Sequence, residues 1–271
     1  MIVAPEYQLV FLHAPKAAGT SIREALEQFH DKNVVTWGLG EHPRGYSVDL
    51  AHMGLDEIAE IYGETWDIMR SGYVFTTIRD PALRFFSSVA EYSKHYSDQD
   101  IRYLPESSRP AYIRKICKML SEHGTATAES LLADYRLTHF RAQLIYIESR
   151  REDAPQVHVW PVRYISGLSK VLSEKTGKPI VFKRSKVRES YALPAPLAAL
   201  LSRGTLRNTL RRVPGRHVIK TLGLRYFSVP SSTGTSPDDL SAEERDFFLD
   251  FIENFYECDY NFMKARGIIA S

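Results

Sequence analysis

Residues 7–21 read YQLVFLHAPKAAGTS, and this stretch decides the fold class. Tyr7 to His13 is a short run of apolar, β-branched and aromatic residues, the pattern of a buried strand. It ends in a loop bearing Pro15 and Gly19. Beyond the loop Ile22, Ala25, Leu26 and Phe29 recur at helical spacing, with Thr20 or Ser21 placed as N-cap. The unit is strand, tight loop, helix. It comes a second time in YVFTTI, Tyr73 to Ile78, followed by Arg79, Asp80 as N-cap and Pro81 at the first helical position. Leu83, Phe86 and Ala90 then mark one helix face. Two such units predict an α/β fold, a P-loop-like three-layer domain whose central, mainly parallel sheet is flanked by helices. Ligands of such a sheet bind at the carboxyl ends of its strands.

Working outward, Asn33 to Thr36 reads as a further strand, and His52 to Tyr62 as a short helix or loop. Residues 111–120 and 129–147 read as helical, Gln156 to Trp160 as a strand, and Tyr164 to Leu172 as a helix. Ser241 with Glu244 three residues on is a capping box that opens a terminal helix rich in aromatic residues. The chain has 271 residues, 44% apolar and 25% charged, which fits one globular domain spanning 1–271. Within it, residues 190–237 hold no acidic residue but carry Arg203, Arg207, Arg211, Arg212, Arg216, Lys220 and Arg225. Punctuated by proline and glycine, this segment reads as an insertion or lid.

A net charge of +2 is too small to imply nucleic-acid binding by the molecule as a whole, so anion recognition has to come from local clusters. Cys117 and Cys258 are far apart and match neither a disulfide framework nor a zinc-ligand spacing, and no metal is expected. No stretch approaches the roughly 18 apolar residues of a membrane span, and no basic leader precedes the first strand; a cytoplasmic protein is expected.

The first loop has the chemistry of a phosphate cradle. Unpaired N–H groups and the dipole at a helix N-terminus favour an anion, Gly19 permits close backbone approach, Thr20 and Ser21 add hydroxyls, and Lys16 adds a cation. In a Walker A loop the lysine follows the second glycine directly; here it precedes the glycine by three positions, which argues against an ordinary ATPase or kinase. Arg79 at a strand end and Ser87 two turns into the next helix could grip a second phosphate. Taken alone, each constellation also suits a surface cation beside a capped helix.

Together they resemble the PAPS-dependent sulfotransferases, particularly the branch of carbohydrate enzymes such as heparan sulfate 2-O-sulfotransferase and its bacterial relatives. HAPKAAGTS is similar to that family's 5′-phosphosulfate loop, with Ala17-Ala18 where relatives often carry threonine or a second glycine. RDPALRFFSSVAEY is similar to its 3′-phosphate motif, including the eight-residue step from arginine to serine. The resemblance implies that Lys16, Ala18, Gly19, Thr20 and Ser21 hold the phosphosulfate end of 3′-phosphoadenosine 5′-phosphosulfate (PAPS), and that Arg79 and Ser87 hold its 3′-phosphate. AHMGLDEI is similar to the segment bearing a histidine base, which falls on His52. Weaker similarity runs through THFRAQLIYI around Gln143, VFKRSKVRES with Arg184 and Ser185 as further donor contacts, and CDYNFM at the terminal helix. The basic 190–237 segment has no counterpart.

The expected activity is sulfuryl transfer to a hydroxyl or amine of a carbohydrate, lipid or small molecule, with Lys16 and His52 catalytic. Such a base would titrate at about 6 to 7, the ordinary imidazole range. His13, at the strand end, and His139, in the THFRAQ segment, are rivals for that role. Two other classes stay open: a nucleotide-dependent P-loop kinase needing ATP and magnesium, and a non-catalytic module that binds anionic lipid or nucleic acid through its arginines. The basic segment is also the place for peripheral membrane contact.

Overall fold

The computed structural model describes residues 1–183, 189–191, 228–230, 237 and 240–269. In chain order the elements are β1 (Ile2–Ala4), β2 (Leu9–Leu12), α1 (Gly19–Leu26), β3 (Leu39–Glu41), β4 (Ser47–Asp49), α2 (Leu55–Ile61), α3 (Gly63–Ser71), β5 (Tyr73–Ile78) and α4 (Pro81–His95). They continue with α5 (Arg109–Ser121), α6 (Glu129–Leu132), β6 (Val157–Pro161), α7 (Ile165–Thr176), β7 (Glu189–Tyr191), β8 (Ser228–Pro230), α8 (Ala242–Phe255) and α9 (Glu257–Ala265).

The central sheet has four strands in the order β1-β2-β5-β6. β2, β5 and β6 are parallel, as the two strand-to-helix units predict, with Val10 opposite Val74 and Thr76 opposite Val159. β1 runs antiparallel at the edge, so the sheet is mixed. Side chains alternate across it, as the period of two requires. Leu9, Phe11 and Phe75 bury one face under Ile22 and Leu26 of α1 and Leu168 and Leu172 of α7. Val10, Leu12 and Val74 bury the other under Leu55 and Ile58 of α2 and Trp66 and Met69 of α3. Burying each such side chain contributes about 1.5–3 kcal/mol, so both faces are committed to helices. A separate core joins Phe85 and Phe86 of α4 to Ile113 and Leu120 of α5 and Phe248 and Ile252 of α8.

Several local expectations hold. Asp80 caps α4 by accepting from the Leu83 N–H at 2.9 Å, with Pro81 beginning the helix. Ser241 and Glu244 form the capping box of α8. Others do not hold. Residues 33–36 form no strand, and 129–147 is not one helix: only α6 is α-helical, followed by 3₁₀ turns at Tyr135–Phe140 and Gln143–Tyr146. Asp134 ends the α-helical run by accepting from the Arg136 N–H at 2.9 Å, a side-chain bond that competes with helix continuation. Both cysteines are free thiols. No helix among the described residues is long and apolar enough to cross a membrane. Arg184, Ser185 and the arginines from Arg203 to Arg225 lie outside the described residues. The two described pieces that bracket the basic stretch pair antiparallel, Glu189 opposite Pro230 and Tyr191 opposite Ser228.

A buried polar network ties the late helices to the sheet. Asp259 of α9, 2% exposed, accepts the Gln143 and Leu144 N–H groups at 2.9 Å each and faces the Arg84 guanidinium at 3.6 Å. Gln143 in turn accepts from the Arg79 N–H at 2.8 Å and donates to the Arg79 carbonyl at 2.9 Å. Removing one partner of a buried ion pair leaves the other uncompensated, so Asp259→Ala is expected to cost about 3–5 kcal/mol in urea denaturation. A cost within about 1 kcal/mol, the range of an exposed pair, would contradict this role.

Candidate active site

The chain leaves β2 through a strained turn. Lys16 and Ala18 both have positive φ, 62° and 63°, although neither is glycine. Left-handed backbone at a residue with a Cβ costs roughly 1–2 kcal/mol and persists only where surroundings hold it. Here Ala14 and Ala17 are fully buried beside Tyr146, and the Thr77 hydroxyl of β5 donates to the Ala17 carbonyl at 2.5 Å. Ala18 occupies the N-cap of α1 and makes no side-chain cap bond. Thr20 and Ser21, expected as caps, lie inside the first turn instead.

Gly19 is needed for a neighbour. A Cβ there would fall 1.8 Å from Cδ2 and 2.1 Å from Nε2 of His13, so the imidazole packs directly against the first residue of α1. The His13 ring in turn sits 4.4 Å, centroid to centroid, from His52, and His52 sits 5.2 Å from His139, both edge to face. The three histidines that the sequence left as rivals form one cluster. Among the described residues no group of His, Cys, Asp or Glu is arranged to hold a metal ion.

His52 is 8% exposed, and its Nδ1 lies 2.8 Å from the His13 carbonyl. A carbonyl only accepts, so Nδ1 carries the proton and Nε2 keeps its lone pair. The Tyr146 hydroxyl anchors the same residue by donating to the His52 carbonyl at 2.9 Å. Burial pushes the His52 ring down to about 4, against the charge of Asp49 and the bond to His13, which favour protonation. The ordinary value of 6 to 7 is thus corrected downward. His13 and His139 also lie well below the usual range, first through burial and then through the His52 charge. At neutral pH the cluster is uncharged.

The two anion constellations meet on α4. Arg79 Nη1 donates to Ser87 Oγ at 3.3 Å. One turn further along the same helix face, Glu91 accepts from Lys16 Nζ at 2.8 Å. Glu91 also pairs with His95 at 2.9 Å and Lys94 at 3.7 Å. Burial would raise this carboxyl, but the His95 bond and the charge and bond of Lys16 outweigh it and hold Glu91 far below the usual carboxylate range.

Two further contacts set the histidine cluster in place. Glu57 of α2 caps the Gly54 N–H at 2.9 Å and pairs with buried Arg141 at 3.0 Å, joining the His52 segment to the His139 segment. Ser88 and Arg84 of α4 donate to the His139 carbonyl at 2.7 and 3.2 Å. Sequence reading missed Glu91, Arg141 and Arg84. Glu91 alone carried a local signal, four residues after Ser87 on a helix face already drawn. No family model, curated protein or solved structure matches the chain.

The neutral cluster makes folding sensitive to acid. An unfolded chain binds histidine protons as pH falls through 6.5, while the folded chain keeps His52 neutral down to about 4. Unfolding therefore takes up a proton across that window, and stability falls with acid by up to about 1.4 kcal/mol per pH unit for each such histidine. Thermal melts between these limits should show this slope, and His52→Gln should flatten it. Melting temperatures independent of pH there would contradict the buried neutral cluster.

Proposed function

We propose that the chain is a sulfotransferase that moves a sulfuryl group from PAPS to a hydroxyl or amine of an acceptor such as a carbohydrate, lipid or small molecule. The observation that carries this reading is the convergence, at the ends of β2 and β5, of a strained loop before an uncapped helix start, Lys16, the Arg79–Ser87 pair and a histidine with a free Nε2 lone pair. Two separated anion grips beside one base suit a ligand with phosphate groups at both ends of a nucleoside. In this scheme Arg79 and Ser87 hold the 3′-phosphate, and the N–H groups from Ala18 to Ser21 with Lys16 hold the phosphosulfate.

Glu91 opposes an anion here. A partly exposed ion pair is worth about 1 kcal/mol or less, whereas a charged hydrogen bond to phosphate contributes about 1.5–3 kcal/mol. The donor therefore wins or shares Lys16, and Glu91 keeps His95 and Lys94 as partners. When bound, the donor supplies the sulfuryl group and leaves as adenosine 3′,5′-bisphosphate once its bond between sulfur and the 5′-phosphate oxygen breaks. His52 Nε2 takes the acceptor proton as the acceptor attacks sulfur. Lys16 and the start of α1 neutralise the charge that develops on the departing phosphate. The low basicity of buried His52 moves the rising limb of kcat/KM from the neutral range to an apparent value near 4.

Calorimetry with adenosine 3′,5′-bisphosphate and with ATP, each in EDTA and again with magnesium, tests the class; binding of the bisphosphate alone, with or without the metal, is expected, and preference for ATP with magnesium would turn the assignment to a kinase. Arg79→Ala should weaken the bisphosphate by about 2 kcal/mol while hardly affecting adenosine 5′-phosphate. Equal losses for both nucleotides would remove the 3′-phosphate assignment. His52→Ala should lower turnover of the donor by roughly 10²-fold and leave bisphosphate affinity nearly intact. Near-full turnover in that variant would remove His52 as the base.

A further inference from the structure

We propose that the proton taken from the acceptor leaves the buried site through His139 and then through His95, drawn by the Glu91 carboxylate between them; the route rests on His52 acting as the base. The need for an exit follows from how His52 is held. Its Nδ1–H is committed to the His13 carbonyl, so a proton arriving on Nε2 cannot pass through the far side of the ring without breaking that bond. The ring gives up its proton readily, because burial disfavours the charged form. One proton must nevertheless reach water for each group transferred.

His13 offers no way out. It is 6% exposed, and its Nδ1 is buried with no hydrogen-bond partner among the described residues. On the other side His139 meets His52 edge to face and is only half-buried. Its backbone is docked on α4 through Ser88. Glu91 and His95 follow Ser88 by three and seven positions, on the same face of that helix. Glu91 Oε1 lies 2.9 Å from His95 Nε2, and the His95 side chain is 39% exposed.

The charges facing His139 are His52 at the end of β4's following turn, Lys16 of the first loop, and Glu91 and His95 of α4. Asp49 and Lys16 are the side chains whose charges bear on His52. Glu91 stays ionised between Lys16 and His95 and so does not carry the proton itself. The balance is simple. The acceptor O–H proton moves to His52 Nε2, from there to His139, and from His139 to His95 and solvent. Each ring returns to its neutral form and no other bond changes. His139 and His95 are relay groups, distinct from the base that meets the acceptor.

Two measurements on the full chain test the route. Turnover of PAPS with water as acceptor is followed as release of the bisphosphate, for the unaltered protein and for His52→Gln, His139→Gln and His95→Gln. His139→Gln and His95→Gln should each slow turnover by about tenfold without changing bisphosphate affinity, and imidazole buffer should restore the His95→Gln rate. Because His95 is exposed, its replacement leaves the core untouched. Independently of turnover, NMR at about pH 4, where the His52 ring becomes protonated on Nε2, should show slower exchange of that proton with solvent in both relay variants of the bisphosphate complex. Unchanged exchange, or wild-type turnover with no imidazole dependence in both variants while His52→Gln is inactive, would overturn the route and leave the base standing. Wild-type turnover in His52→Gln would overturn the base reading itself.

Discussion

The position of Arg79 depends on a carboxylate that lies far from it in sequence. Asp259 fixes two consecutive backbone N–H groups at Gln143 and Leu144, and the Gln143 side chain then grips both backbone polar groups of Arg79. Burying that charge would cost several kcal/mol if it stood alone. Arg84, itself fully buried over the Tyr256 ring at 4.7 Å, offsets it. The end of β5 is thus held from α9, at the other end of the described chain. A change in α9 would be felt at the candidate anion site, with no ligand contact of its own.

Glu57 and Arg141 work by the same logic on the histidine cluster. Their buried pair closes a loop of 84 positions and brings the segments of His52 and His139 side by side. Packing around Tyr146 then sets which way the first loop turns, through Ala14 and Ala17. The rings themselves are uncharged, so the positive potential of the site comes from Lys16, Arg79 and the helix start. Burial thus lowers the histidines without discharging the cations beside them.

What was legible in the sequence was local. Tyr73–Ile78 was read with its observed limits because six consecutive aromatic, β-branched or apolar residues, five of them buried, leave no other period. Asp80 with Pro81, and Ser241 with Glu244, announce helix starts through bonds between near neighbours. The strand β1 was not read, because three residues give too short a period to recognise. The segment 129–147 was read as helix since its apolar residues recur every three or four positions, a spacing that 3₁₀ turns share. The three candidate histidines were each named, but their meeting was not visible, because it is made by Glu57–Arg141 and Ser88, whose partners stand 51 to 84 positions away. A second reason for Gly19 stayed hidden on related grounds. The sequence shows that side-chain bulk is missing, and only the fold shows that the His13 ring fills the space.

The short ladder of β7 and β8 bears on how this chain can vary. Its paired backbones bring the two ends of the arginine-bearing stretch together, so the stretch departs from and returns to one place. Once the ends of a connection are pinned, lengthening it costs only a logarithmic loss of entropy, about 0.6 kcal/mol for each doubling. On that ground alone, a change in the number of residues between β7 and β8 is inexpensive beside the loss of a partner from either buried ion pair.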